Sequence, residues 1–271
     1  MGNSPYGMAF DGTSMWVANS SDNTVRKLRA SDGACVGTCT FPTGTNPLGV
    51  AFDGANIWVA NFNGFAGTKL RASDGASLGS FQQGNAVGIA FDGANIWVTN
   101  APQANVTKVR ASDKAVLGTF TVGGWPVSAA FDGANVWIVN QSGASVTELR
   151  ASDGATLGTF PVGAAPVAVS FDGANIWVAD NYLSVVTKLR VSDGATLGTF
   201  PVGAGPEGLA FDGANIWVAN SASNSVTRLR TSDGACVGTC TFPVGSRPRT
   251  VAFDGVNIWV TNWNDGTVTK L

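Results

Sequence analysis

Nine tryptophans, four cysteines, eighteen acidic residues and no histidine bound the chemistry open to this 271-residue chain. Without histidine there is no Ser-His or Cys-His nucleophile, no ordinary zinc site and no imidazole base. What remains for catalysis is a pair of carboxylates of the kind that hydrolyses glycosides. Thirteen of the acids recur in fixed motifs, seven in Phe-Asp-Gly and six in Ser-Asp-Gly or Ser-Asp-Lys, which leaves Asp22, Glu148, Asp180, Glu207 and Asp265. Of these, Asp180, Glu207 and Asp265 fall on one variable face and carry the enzymatic alternative, a carbohydrate-active enzyme. No catalytic residue is assigned, and the expected class is not an enzyme.

The cysteines form two local pairs, Cys35 with Cys39 and Cys236 with Cys240, both in Ala-Cys-Val-Gly-Thr-Cys-Thr-Phe-Pro. Two ligands per site and no histidine cannot assemble a local metal centre. The pairs are therefore expected as local disulfides, Cys35–Cys39 and Cys236–Cys240, in a periplasmic or extracellular compartment; staying reduced is the alternative. Each pair accompanies a two-residue insertion, for which a bulged strand is expected.

What positions these residues is a repeat. Phe-Asp-Gly begins at Phe10, Phe52, Phe91, Phe131, Phe171, Phe211 and Phe253, with a Trp six residues after each Phe. A period near forty marks a repeat architecture. Within one unit, Pro206 to Gly245, four short runs of strand character alternate with Gly-containing turns, and no segment has a sustained helical period. Each unit reads as a four-stranded antiparallel meander, strands a to d in chain order. Both faces of strand b are apolar, so each sheet must be covered on both sides, and radial stacking provides that cover. The expectation is a single all-β domain over residues 1–271, a seven-bladed β-propeller with repeats beginning near 5, 47, 86, 126, 166, 206 and 248. The last repeat stops after strand c at Leu271, and no candidate strand precedes Pro5, so one blade is expected to lack its outer strand. An edge left open in this way invites an edge-to-edge homodimer.

The run Pro-x-Gly-x-Ala-Phe-Asp-Gly-Ala-Asn-Ile-Trp-Val-Ala-Asn at Pro206 to Asn220 resembles the repeat of the NHL and YncE-like β-propellers, a superfamily that also includes virginiamycin B lyase. The resemblance implies that strand a lines a central channel and strand d forms the rim. The lyase activity in that superfamily depends on histidines, which have no counterpart here, so that activity is not implied.

The seven copies differ chiefly at one end, in the b–c and d–a loops. The residue after the loop proline is, in ring order, Tyr6, Leu48, Val87, Val127, Val167, Glu207 and Arg249, with Ala86 in place of one proline. Arg247, Trp263, Trp125, Tyr182, Phe62 and Phe65 add cationic and aromatic side chains at the same end. These are residue types enriched at binding hot spots, and the candidate ligand-binding set is Tyr6, Glu207, Arg249, Arg247, Trp263, Trp125, Tyr182 and Asp180. Free drift of loops in an amplified repeat is the competing explanation.

The Phe-Asp-Gly aspartates are expected to cap their own turns, with a ring of metal ligands as the alternative. The Lys-x-Arg pairs of strand c are expected to bridge to turn aspartates at the surface. A formal charge of −2 and the lack of a long apolar run point away from nucleic acid and membrane partners, and no cofactor is expected. The function expected from all this is a non-enzymatic binding or scaffold propeller for a protein, peptide or glycan. A purely structural repeat module, amplified or designed, is the other alternative.

Overall fold

In the computed structural model, which describes every residue except Val36 and Val237, each repeat folds into one antiparallel sheet with its strands in the order a-b-c-d. Blade 4 shows the pattern, with Pro126–Phe131, Asn135–Asn140, Ser145–Arg150 and Thr156–Pro161 as its four strands. Seven such sheets form a β-propeller, and the seventh has three strands, Pro248–Phe253, Ile258–Asn262 and Thr267–Lys270. Among the described residues the only helix is a single 3-10 turn at Ala101–Gln103.

Strand b is buried along its length because it lies between two strands of its own sheet and two neighbouring sheets. Its tryptophan is the centre of each blade. Trp137, Trp177 and their equivalents lie under the phenylalanine of strand d, with ring centroids 4.9–5.5 Å apart in six blades. Each of the seven indole Nε1–H groups also donates to the Phe-Asp-Gly aspartate five residues earlier, at 2.6–2.7 Å. The other carboxylate oxygen accepts backbone N–H groups of its own turn, as with Asp212 and the amides of Ala214 and Asn215. One residue thus satisfies a buried indole and a turn together, which is why Asp and Trp keep their spacing of five. No three His, Cys, Asp or Glu side chains converge as a metal site among the described residues.

The Lys-x-Arg pairs divide their work, which corrects the expectation that both bridge at the surface. The arginines do, as in Arg110 with Asp113 at 2.8 Å, both half exposed. The lysines reach across to carbonyls of the next blade, Lys27 meeting the turn aspartate Asp11 at 3.7 Å as well. Lys108 is 5% exposed, lies 5.2 Å from the centre of the Trp97 ring and donates to the carbonyls of Ala151 and Ser152 in the next blade. Lys69 and Lys188 repeat this, each reaching a carbonyl one blade on. Strand c residues two apart face the same side of a flat strand, but the c–d turn lifts the arginine out to solvent. The lysine is left to clamp blade to blade.

The ring closes without exchanging a strand. Lys270 donates to Ala30 and Ser31 across the closure, Thr261 Oγ1 donates to the Tyr6 carbonyl at 2.9 Å, and Trp259 packs with Met8, Met15, Val17 and Leu28.

The cysteine insertions are also corrected. They do not bulge a continuous outer strand, because strand d of blades 1 and 6 is reduced to Thr40–Pro42 and Thr241–Pro243. Pairing with strand c is held at Arg29 N–H to Ala34 and again at Lys27 N–H to Cys39, and the ladder is interrupted between those two points. Cys35 and Cys39 are joined at this interruption, with Cα atoms 5.6 Å apart, and Cys236 and Cys240 at the equivalent one, 5.5 Å apart.

Candidate functional site

The residue after the loop proline is aimed at the channel by a bulge in strand a. In blade 6, Pro206 pairs with Asn220 but Gly208 pairs with Ala219, so Glu207 is the extra residue. A bulge at this position recurs in every blade, as in Pro126, Ser128 and their partners, and in blade 3 where Ala86 stands in place of the proline. The extra side chain is re-aimed, here into the axial opening. Gly208 then lets the two innermost strands of blades 6 and 7 approach, since a Cβ there would lie 2.5 Å from the Arg249 carbonyl oxygen.

The result is a funnel of about 530 Å³ at the b–c and d–a end of the channel. One wall is apolar, with Leu48, Val87, Val127 and Val167 beside Phe62 and Trp125. The other is polar and belongs to blades that ring closure makes consecutive. Arg249 meets Glu207 at 2.6 Å, with side chains only 14% and 18% exposed. The Arg249 guanidinium is also 5.6 Å from the Tyr6 ring centre and 5.5 Å from that of Trp263, while Arg247 lies 4.8 Å over the same indole. A weakly hydrated guanidinium held between two aromatic faces is favourable where it is partly desolvated.

Burial pushes the Glu207 carboxyl above its ordinary value, and Arg249 offsets only part of that rise. Burial also raises the Tyr6 phenol, and the Glu207 charge adds to it. The site is therefore an ion pair next to a neutral phenol, in a funnel with one oily side. Hydrogen bonding around the pair is completed by Asn181, whose Nδ2 donates to Glu207 Oε1 and to the Pro206 carbonyl, each at 3.2 Å.

Of the eight candidate residues, the structure places Tyr6, Glu207, Arg249 and Trp125 on the funnel and puts Arg247 and Trp263 behind Arg249. Tyr182 stands 77% exposed on its own b–c loop, away from the lining. Asp180 is 1% exposed and holds loops together, accepting from the amides of Ala165 and Leu183 at 2.9 and 2.7 Å. Asp265 does the same work with the Ser246 amide. Of the three individual acids, only Glu207 opens to the funnel.

Asn181 and Gln141 line the funnel although neither is among the eight. Both directly follow the last residue of strand b, as Phe62 does, and this register position was a signal available in the sequence.

No family model matches the sequence. No curated protein matches it either. Solved structures do match in shape. Hydrazine synthase from Kuenenia stuttgartiensis superposes with a TM-score of 0.86 at 16% identity, covering 99% of this chain and 95% of that one. A streptogramin B lyase follows at 0.83 and 17% identity, covering 99% and 93%. A catalytically inactive histidine-to-alanine variant of virginiamycin B lyase from Staphylococcus aureus, with quinupristin, gives 0.82 at 16% identity over 98% and 94%.

At these identities the likeness shows the fold alone. It still overturns the expectation of a non-enzymatic propeller, because the same seven-bladed ring carries a synthase and lyases. That expectation rested on the missing histidine, which removes particular mechanisms and not catalysis as such. Virginiamycin B lyase-like propellers stand among the neighbours, while membership of the NHL and YncE-like family gains no family match.

Proposed function

We propose that the axial funnel is the working site of this protein, taking a small amphipathic molecule whose polar end meets Tyr6, Glu207 and Arg249 and whose apolar body lies against Leu48, Val87 and Val127. Glu207 is the group that exchanges a proton with that molecule. The observation that carries this reading is the 2.6 Å Glu207–Arg249 pair, nearly buried on one side of a funnel whose other side presents Leu48, Val87, Val127 and Val167. A cavity of this size with a few convergent polar groups, one of them displaced from its ordinary pKa, has the character of a small-molecule site. A buried carboxyl whose pKa is raised takes up a proton more readily than an ordinary one. Arg249 offers donors to an anionic or carbonyl oxygen as Glu207 does so.

This reading includes membership of the NHL and YncE-like propellers, on the repeat residues quoted above. It also places the protein in the periplasm or outside the cell. Two cysteine pairs at disulfide distance are consistent with an oxidising, extracytoplasmic compartment.

The test is a screen of small amphipathic acids, esters and lactones against the whole chain, read by thermal shift and by chromatography for turnover. Hits are expected to lose at least tenfold in affinity with Arg249→Ala. Turnover of any hit is expected to vanish with Glu207→Gln while binding persists. A ligand whose binding is indifferent to both changes would place the working site elsewhere.

A further inference from the structure

The seventh blade is open along the outer edge of Thr267–Lys270, which pairs with no further strand among the described residues. What the six complete blades put at that edge is known in detail. In blade 4 the outer strand pairs Phe160 with Val146, Thr159 with Thr147 and Gly158 with Glu148, and the phenylalanine lies on the blade's tryptophan. The next blade makes room with the glycine of its Ser-Asp-Gly turn. A Cβ on Gly154, Gly194 or Gly234 would lie within about 2.2 Å of the ring of Phe120, Phe160 or Phe200.

Gly33 is the equivalent glycine facing blade 7. A Cβ there would meet Trp259 at 3.7 Å and no phenylalanine. The space belongs to a cleft of about 300 Å³ lined by Trp259, Val268, Leu28, Gly33, Met1 and Arg26. Met1 and Arg26, two flexible side chains, share this cleft, and Trp259 is 2% exposed. Arg26 is itself an exception. The same strand c position holds Thr68, Thr107, Thr147, Thr187, Thr227 and Thr269 in the other blades, and the Arg26 Nε is buried with no hydrogen-bond acceptor. It is a donor set against the open edge.

We propose that this edge is a docking site for an extended peptide carrying the sequence class Gly-Thr-Phe-Pro, which adds as a fourth strand to Thr267–Lys270 and seats its phenylalanine between Trp259 and Gly33. In the register of the complete blades, the peptide phenylalanine pairs with Val268, its threonine with Thr269 and its glycine with Lys270. Met1 and Arg26 swing aside, and an added strand carbonyl gives Arg26 an acceptor. Main-chain pairing supplies affinity and the aromatic socket supplies specificity, the usual division in strand addition. A second copy is the poorer occupant, because the edge it would present, Thr267–Lys270, contains no aromatic residue for the socket.

Blade 2 supplies the control. There Lys114, at φ +67°, replaces the socket glycine, and Phe81 is turned edge-on to Trp58 over Gly67 of strand c. Blade 7 has Val268 where blade 2 has Gly67, so that second seat is closed. Gly33→Lys should therefore fold, since a lysine already occupies this turn, and should block the phenylalanine.

The experiment titrates a synthetic peptide of residues 150–161, Arg-Ala-Ser-Asp-Gly-Ala-Thr-Leu-Gly-Thr-Phe-Pro, into the full chain by calorimetry, with thermal melting in parallel. One-to-one binding and a raised melting temperature are expected. The same peptide with Phe160→Ala should bind at least tenfold more weakly, and the Gly33→Lys protein should melt normally and bind neither. Equal affinity for both peptides, binding that survives Gly33→Lys, or no binding at millimolar peptide would overturn the proposal. So would a chain that sediments as a dimer and stays one at saturating peptide.

Discussion

At the scale of single residues, two kinds of carboxylate do opposite things. The Phe-Asp-Gly aspartates are partly buried, and burial alone would raise them. In Asp11, Asp53, Asp92, Asp212 and Asp254 the indole N–H and the turn donors outweigh it, and the carboxyls fall below their ordinary value of 3.8. A depressed folded-state value means stability that is fully present above the ordinary value and lost as pH falls through the folded one. Acid unfolding followed by tryptophan fluorescence should therefore begin below about pH 4. Asp212→Asn keeps the shape and removes the charge-assisted bonds, so it should cost roughly 1–3 kcal/mol at neutral pH. That difference should shrink as pH falls below the ordinary carboxylate value and through the folded-state one, where protonation removes the charge from the wild type as well. Glu207 runs the other way. Its value lies above the ordinary 4.5, so the pH profile of any ligand binding or turnover in the funnel should rise on a limb above pH 4.5. Glu207→Gln should abolish that limb, which a titration of the two proteins side by side would show.

At the scale of the blade, the lysine clamp explains one outlier and predicts its repair. Blade 4 has Glu148 where five other blades have lysine and blade 6 has Arg228. It is 7% exposed, and burial, reinforced by the charge of Asp132, pushes its carboxyl above the ordinary value. Only Asn135 Nδ2 is seen to compensate, at 2.8 Å. Glu148→Lys removes the repulsion, places a cation over Trp137 and offers a donor to the next blade. A gain on the order of 1 kcal/mol is expected, or about 2–4 °C in calorimetric Tm. The cysteine pairs make the contrasting case. Each disulfide closes only a short stretch of chain, so loop entropy limits its contribution to about 2 kcal/mol. Reducing both pairs should lower Tm modestly and leave the circular dichroism of the sheets unchanged.

At the scale of the whole ring, stability is shared between neighbours, and the weakest joint is the one with least packing. Blades 1 to 6 each have a tryptophan under a strand d phenylalanine, whereas blade 7 has Trp259 under flexible side chains. Appending the twelve residues Arg-Ala-Ser-Asp-Gly-Ala-Thr-Leu-Gly-Thr-Phe-Pro after Leu271 would supply the fourth strand and one buried phenylalanine. Burial of that ring contributes about 1.5–3 kcal/mol, so Tm should rise by roughly 5 °C. No rise, with the appended strand susceptible to protease, would mean that the closure between blades 7 and 1 is already as firm as the other joints.

Much of this molecule was legible in the residues themselves. A forty-residue period with strand-length runs and glycine turns specifies seven meanders, and an apolar second strand requires that they stack, because neither face can stay in water. The count of strands and the gap in the last blade follow by the same reading. So does the convergence of Tyr6, Glu207 and Arg249, since a ring makes the first and last repeats neighbours. What the linear pattern could not decide is which way each polar side chain faces once two blades press together. Lys108 and Arg110 look equivalent in sequence, yet one spans to the next blade and the other meets solvent. Asp180 and Glu207 are both lone acids beside variable loops, yet one is buried as a loop clamp and the other is turned into the funnel. The difference lies in the bulge after the proline and in contacts between blades far apart in the chain. Tertiary packing decides both, because a side chain's direction depends on the twist and register of the strand that carries it and on what its neighbour leaves empty.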